Sequence, residues 1–262
     1  MLRLVDVGLT YAGCSAPVLS GVNLVLETGD RLGLAGPSGA GKSSLLALAA
    51  GLIPPTEGRV LRRDGVRIGL VLQEPEMALF ARTVEEELSY APRIAGLDPG
   101  EVRCAAEEAL AALGLGGEIL GHDPLRLPAD RRRLVAVAAV LAGRPDALFL
   151  DEPTVGLGMD SRERLLRLAG EFPGAVIVAG HDLDFLWRLG GRVAVLTGGR
   201  LALETTWPEA AARPGLLTGA GLEPPEVLKV LAGLAARGWT IGDPGNDEAE
   251  VAAAIVAGGP RR

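Results

Sequence analysis

The consecutive residues Gly36-Pro37-Ser38-Gly39-Ala40-Gly41-Lys42-Ser43 fit the pattern G-x-x-x-x-G-K-[ST] of a phosphate-binding loop. Glycines let such a backbone turn tightly and aim its N–H groups at phosphate oxygens. Arg31 to Ala35 reads as a strand entering the loop, and Ser44 to Ala50 as a helix leaving it. The helix start adds unpaired N–H groups and a favourable dipole end. Lys42 is expected to reach the β- and γ-phosphates of a nucleotide, and the Ser43 hydroxyl, with Ser44 beside it, to face them with Ser43 as a Mg²⁺ ligand. A glycine turn before an ordinary helix would explain the glycines, but not Lys42-Ser43 at this spacing.

A second half of such a site lies downstream. Leu148-Phe149-Leu150-Asp151-Glu152 is an apolar strand ending in paired carboxylates. In a parallel sheet that strand end can sit beside the phosphate loop. Asp151 would then hold the water shell of Mg²⁺, and Glu152 would polarise a water attacking the γ-phosphate. An Asp-Glu pair is common at strand ends; together with Gly36 to Ser43 it becomes specific. His181 follows the apolar run Ala175 to Ala179 and is a candidate to bond the γ-phosphate or orient the water, against the plainer reading of a polar loop residue. Gln73, also after an apolar strand, is a candidate to report Mg²⁺ or γ-phosphate, against a simple surface turn. Tyr11 is a candidate to stack on adenine. His122, near Pro124, has no partner pattern.

The elements that must position these groups fit an α/β chain. It has 262 residues, 48% of them apolar, enough for one large domain and a small addition. The net charge of -7 argues against a general nucleic-acid binder. Two cysteines, Cys14 and Cys104, form no framework, so a reducing compartment is the easier reading. The start of the chain lacks a signal-peptide pattern, and no apolar run reaches transmembrane length. A cytoplasmic chain able to dock on a membrane protein is expected.

In order, Leu2 to Val7 reads as a strand, and Val18 to Leu26 as another, broken near Gly21, with a turn carrying Tyr11 between them. Arg59 to Arg62 and Val66 to Leu72 read as strands around a turn at Asp64-Gly65. Thr83 would cap a short helix over Val84 to Leu88, and Pro99 to Leu113 has helical spacing. Arg131-Arg132-Arg133, plainly read as a solvated face, opens a helix to about Ala142. Ser161 to Leu168 reads as a helix with Ser161 as a possible cap. Arg192 to Leu196 and Leu201 to Leu203 read as a final small sheet element. From about Trp207 the chain changes character: Pro208, Pro214, Pro224 and Pro225 punctuate helices over Glu226 to Ala236 and Asp247 to Ala257.

Taken together, Tyr11, Gly36 to Ser43, Gln73, Asp151-Glu152-Pro153-Thr154 and His181 resemble the nucleotide-binding subunit of ATP-binding-cassette transporters, over nearly the whole chain. The resemblance implies an α/β P-loop NTPase fold with an ABC-type nucleotide-binding domain over 1–206, an inserted helical subdomain at about 75–145 and a small C-terminal extension at 207–262. It implies ATP and Mg²⁺ as cofactors, with Tyr11 as the adenine-stacking aromatic, Gln73 as the glutamine loop, Asp151 as the magnesium aspartate, Glu152 as the catalytic glutamate and His181 as the switch histidine. Gln73 to Phe80, Thr83 to Leu88 and the tail Gly221-Leu222-Glu223-Pro224-Pro225-Glu226-Val227 look like the energy-coupling-factor and cobalt-import branch. That branch implies an ATPase at the cytoplasmic face of the membrane that drives import of a vitamin or transition-metal ion. Its partners would be an integral coupling subunit, received in the glutamine-loop groove, and a second ATPase subunit paired through the C-terminal region.

Two stretches depart from the family. Its signature, Leu-Ser-Gly-Gly-Gln, is matched by Leu127-Pro128-Ala129-Asp130-Arg131, and its Gly-Leu-Asp by Gly156-Leu157-Gly158. Pro128 removes a hydroxyl and a backbone donor, and Asp130 brings negative charge toward ATP. Groups acting on this chain's own nucleotide are retained, whereas those reaching a partner's nucleotide are altered. The pattern points to an asymmetric pair with an intact partner signature, a homodimer staying open. Other functions weighed are a soluble cassette ATPase without a transporter, an ATP-binding regulatory subunit with little turnover, and a P-loop kinase.

Overall fold

In the computed structural model, which describes residues 1–213, 215–240 and 245–260, two sheets share the first two hundred residues. Pro214 and part of the C-terminal extension lie outside the described residues. Strands β1 (Leu2–Leu9), β2 (Leu19–Leu26), β3 (Arg31–Ala35), β4 (Glu57–Arg62), β5 (Ile68–Val71), β6 (Ala147–Asp151), β7 (Ala175–Gly180), β8 (Arg192–Thr197) and β9 (Arg200–Thr206) form them. The larger sheet runs β5-β6-β7-β3-β8-β9, and the smaller runs β2-β1-β4. In the larger one only β9 pairs antiparallel; the smaller is antiparallel throughout.

The inner parallel strands β3, β6 and β7 are buried on both faces, whereas the antiparallel edge strand β9 is largely open to solvent. Leu148, Leu150, Val176 and Val178 enter one hydrophobic core, while Ala147, Phe149, Ala175 and Ile177 enter the other. The second core also takes the inner face of the smaller sheet and helix α1 (Lys42–Ala50). The first core takes the helices α2 (Val84–Ile94), α3 (Pro99–Ala112), α4 (Ala129–Ala142), α5 (Met159–Glu171) and α6 (Leu183–Leu189). Beyond β9 come α7 (Trp207–Ala212), α8 (Gly215–Gly219), α9 (Glu226–Ala236) and α10 (Glu248–Ala257). Their residues Trp207, Leu217, Leu228, Leu231 and Val251 join that same core.

Several expectations change here. The strands expected around Asp64-Gly65 belong to different sheets: β4 pairs with β1, and β5 with β6. Strand β2 is continuous past Gly21, where a left-handed φ of 64° and an irregular register mark a bulge rather than a break. The pair β8–β9 is no separate element, because β8 runs parallel to β3 and extends the main sheet. Ser161 is no cap: α5 starts two residues earlier, after Gly158. Helix α2 runs to Ile94 with Pro92 inside it, well past Leu88. Arg133 is buried rather than solvated. No described helix is long and apolar enough to cross a membrane.

Candidate functional site

The site grows from the order of the parallel strands. Ligands of open α/β sheets gather at the carboxyl ends of the strands. Register places Asp151 of β6 opposite Ala179 of β7, and Gly180 of β7 opposite Ala35 of β3. The phosphate loop after Ala35, His181 after Gly180 and the carboxylates at the end of β6 therefore share one edge. Gln73 follows β5, the strand on the other side of β6. The sequence thus distributes the chemistry over four strands, and the sheet collects it.

The loop needs its glycines. Gly36 sits at φ 151°, and a Cβ there would lie 2.1 Å from the Leu196 carbonyl oxygen. Gly41 caps α1 at φ 101°, and a Cβ there would meet Leu19 at 2.9 Å and the Val18 carbonyl at 3.1 Å. Gly39 at φ 78° has open space around it, so its requirement is conformational. Pro37, Ser38 and Ser43 are exposed, and Ala40 is buried against the core under the loop.

The Lys42 ammonium is buried and folds back over the loop. It donates to the Gly36 carbonyl at 2.8 Å and the Pro37 carbonyl at 3.3 Å, and stands 3.4 Å from Glu152 Oε1. The other Glu152 oxygen is 2.8 Å from His181 Nδ1. One carboxylate thus links the lysine of the loop to the histidine after β7. Glu152 has φ 45°, a left-handed conformation unusual for a side chain of this kind, and its N–H donates to the Ala179 carbonyl at 2.8 Å.

Asp151 is 3% exposed, and its Oδ1 is buried without a hydrogen-bond partner. Burial pushes its carboxyl above the usual range, and the neighbouring Glu152 charge adds to this, while the nearby Ser43 hydroxyl and the Lys42 ammonium oppose the shift. An orphaned acceptor next to a hydroxyl is what a hard divalent cation would satisfy. Among the described residues no group of three or more His, Cys, Asp or Glu is placed for a metal. Mg²⁺ typically takes one or two protein ligands and completes its shell with phosphate oxygens and waters.

Tyr11 lies in the turn after β1, half-exposed, and its hydroxyl is 3.0 Å from Ser44 Oγ. Its ring therefore flanks the start of α1, outside the phosphate loop. Gln73 is exposed, and its carbonyl accepts from Arg133 at 3.1 Å. Arg133 also grips Glu76, at 3.1 and 3.2 Å, and so fastens the loop after Gln73 to α4. Glu87, buried on α2, accepts from the Phe80 and Ala81 N–H groups at 2.9 and 2.8 Å and holds the far end of that segment. Neither residue was found from the sequence. Arg133 hid in a charged triplet and Glu87 in a run of glutamates, so no local signal separated them from their exposed neighbours. Asp130 has partners that spacing did not reveal. In its own chain the carboxylate accepts from the Gly158 N–H and the Ser161 hydroxyl, so its charge is met by two donors.

The family profile described as ABC transporter matches residues 19–155, from β2 to just beyond Glu152. The chain belongs to the ABC transporter family. This ABC cassette is an ATPase that takes ATP with Mg²⁺. Among curated relatives, it is 34% identical over 256 residues to the energy-coupling factor transporter ATP-binding protein EcfA of Methanoculleus marisnigri, covering 92% of both chains. It is 37% identical over 239 residues to the cobalt import ATP-binding protein CbiO of Rhodobacter capsulatus, covering 84% of each. Among solved structures, cbiO1 of Clostridium perfringens, part of the transporter complex cbiONQ, superposes with a TM-score of 0.72 at 27% identity, over 88% of this chain and 98% of that one. The ATP-binding cassette MJ0796, in a dimeric post-hydrolysis state with ADP and Pi, superposes with a TM-score of 0.69 at 29% identity, over 79% of this chain and 98% of that one.

Proposed function

We propose that this chain is the ATP-hydrolysing subunit that energises import of a vitamin or transition-metal ion, as a peripheral protein on the cytoplasmic face of the membrane. The loop from Gly36 to Ser43, with Ser44, holds the triphosphate, and Lys42 exchanges its two carbonyl partners for β- and γ-phosphate oxygens. Tyr11 faces the adenine. Ser43 and Asp151, with Gln73 at the edge, would hold Mg²⁺, which neutralises charge on the phosphate oxygens. Glu152 orients and polarises the attacking water, and His181 steadies Glu152 on its far side. ATP and water give ADP and phosphate, and no covalent intermediate is needed.

The observation that carries the coupling to a membrane partner is an apolar surface beside Gln73. Leu72, Met77, Phe80, Tyr90 and Ile94 are all more than half exposed. Phe80 and Tyr90 pack edge to face, with ring centroids 5.0 Å apart. A cavity of about 230 Å³ opens there, lined by Leu72, Pro75, Leu79, Tyr90 and Ala139 among others. Contiguous exposed apolar surface marks an interaction site, and the names of the relatives point to transporter subunits. Helices α2 to α4 form the subdomain at about 75–145 that presents this surface. Residues 207–262 are the extension through which two ATPase subunits pair, and Val230 and Val256 supply exposed apolar area for it. A partner with an intact signature would complete this chain's own site. A second reading, an ATP-binding subunit with little turnover, is favoured by Leu127 to Arg131; a cassette without a membrane partner leaves the apolar surface unused.

Tagged chain purified from detergent extract is expected to bring down a hydrophobic multi-helix protein, and Phe80→Asp to lose it. The substitution puts a charge against Tyr90 on the apolar surface, while thermal stability and MgATP affinity should stay near wild type, because Phe80 is exposed and is none of the residues assigned to the nucleotide. Retention of the membrane protein by Phe80→Asp would contradict this docking surface.

A further inference from the structure

We propose that Asp130, within the segment where the family carries its signature, is a positioning residue for this chain's own Glu152. The proposal rests on the reading of Glu152 given above. It starts from two departures from the family pattern that turn out to touch. Asp130 Oδ2 accepts from the Gly158 N–H at 3.0 Å and from the Ser161 hydroxyl at 3.2 Å. Gly158 is the N-cap of α5 and has no side chain to cap it. An aspartate at that position would ordinarily do so. Here the carboxylate arrives from the start of α4, and it lies in the first turn of α4 as well, a favourable place for negative charge at both helix ends.

The two positions disfavour a second carboxylate. A Cβ at position 158 would stand 3.0 Å from Asp130 Oδ2, so an acidic side chain there would crowd like charge on like charge. The glycine at 158 and the aspartate at 130 are therefore matched to each other in space and charge.

The link to catalysis is the short loop from Glu152 to Gly158. Glu152 opens it in a left-handed conformation at φ 45°. Such a conformation persists only when its surroundings over-determine it. Its near end is tied by the Glu152 N–H to the Ala179 carbonyl, and inside it the Val155 N–H bonds Glu152 and the Leu157 N–H bonds Thr154. Asp130 ties the far end at Gly158, and the Arg133 guanidinium lies against Gly156, where a Cβ would be 3.5 Å from it. The start of α4 thus braces the loop that holds the glutamate of the same chain.

The test uses the complex purified with its membrane partners through a tag on this chain. MgATP turnover and MgATP affinity are measured for wild type, Asp130→Ala, Asp130→Asn, Gly158→Asp and the swap Asp130→Gly with Gly158→Asp, beside Glu152→Gln. Asp130→Ala should lower kcat roughly tenfold, about 1.4 kcal/mol, with KM unchanged. Asp130→Asn keeps an acceptor oxygen and should lose less. Gly158→Asp alone should lose activity, and the swap should regain most of it. Wild-type kcat in Asp130→Ala, or a swap no better than Gly158→Asp, would overturn the bracing role; should Asp130→Ala not fold, the swap decides. If Glu152→Gln leaves turnover intact, the assignment of Glu152 fails first and the brace falls with it. If Glu152→Gln abolishes turnover while Asp130→Ala does not lower it, only the brace falls.

Discussion

Glu152→Gln is expected to cut MgATP turnover of the assembled complex by about two to three orders of magnitude while MgATP still binds. The amide keeps the shape of the side chain and one acceptor oxygen, but it carries no charge and cannot take a proton from water. In the structure both carboxylate oxygens are committed, Oε1 to the Lys42 ammonium at 3.4 Å and Oε2 to His181 Nδ1 at 2.8 Å. Nucleotide phosphates compete for the Lys42 ammonium, so ATP would free Oε1 to face water while His181 holds the other side. The variant loses that exchange but leaves the phosphate loop untouched. Phosphate release at saturating MgATP, with nucleotide affinity measured in parallel, checks both halves; wild-type turnover would mean that another group positions the water.

Lys42→Ala is expected to weaken MgATP binding by roughly 10- to 150-fold, the equivalent of about 1.5–3 kcal/mol for a lost charge-assisted contact. The ammonium is buried and already lies over the loop, between the Gly36 and Pro37 carbonyls, so little ordering is needed when phosphate arrives. Its removal also leaves the Gly36 carbonyl and Glu152 without their cation. The free chain should therefore lose some stability, about 1–3 kcal/mol. Calorimetric titration of the folded variant separates the two effects, since thermal unfolding without nucleotide reports only the second. Unchanged affinity would remove Lys42 from the site.

How much could be read beforehand depended on how local the signal was. The phosphate loop was legible because backbone geometry dictates its residue types: Gly36 and Gly41 stand where a Cβ would collide with Leu196 and Leu19. The strand ending in Asp151-Glu152 was legible because a strand buried on both faces is apolar throughout. That it can sit beside the phosphate loop was expected of a parallel sheet, and the register confirms it by setting β6 next to β7 and β7 next to β3; the full strand order is not written in any one strand. For the same reason the separation of β4 from β5 and the membership of β8 in the main sheet were missed. Ser161 looked like a cap because capping residues and first-turn serines share a composition; only the backbone shows that Gly158 ends the loop. Helix α6 was missed because it has only seven residues, Phe185, Leu186, Trp187 and Leu189 of them buried, too few turns to show an amphipathic period. Long-range pairs such as Arg133 with Glu76 and Asp130 with Gly158 leave no trace in spacing.

An asymmetric pair, with one working site and one impaired site, predicts unequal effects of the same substitution in the two ATPase subunits. Two complexes are prepared, one with Glu152→Gln in this chain and one with the equivalent glutamate replaced in the partner ATPase, and phosphate release is measured for both at saturating MgATP. The signature-position segment here, with Pro128 capping α4 and Asp130 engaged by Gly158, is poorly suited to grip a partner's nucleotide with preorganised donors. This chain's own site keeps Lys42, Asp151, Glu152 and His181. The expected result is that Glu152→Gln removes nearly all turnover and the partner substitution removes little. Equal losses in the two complexes, or robust ATP hydrolysis by this chain alone, would contradict it.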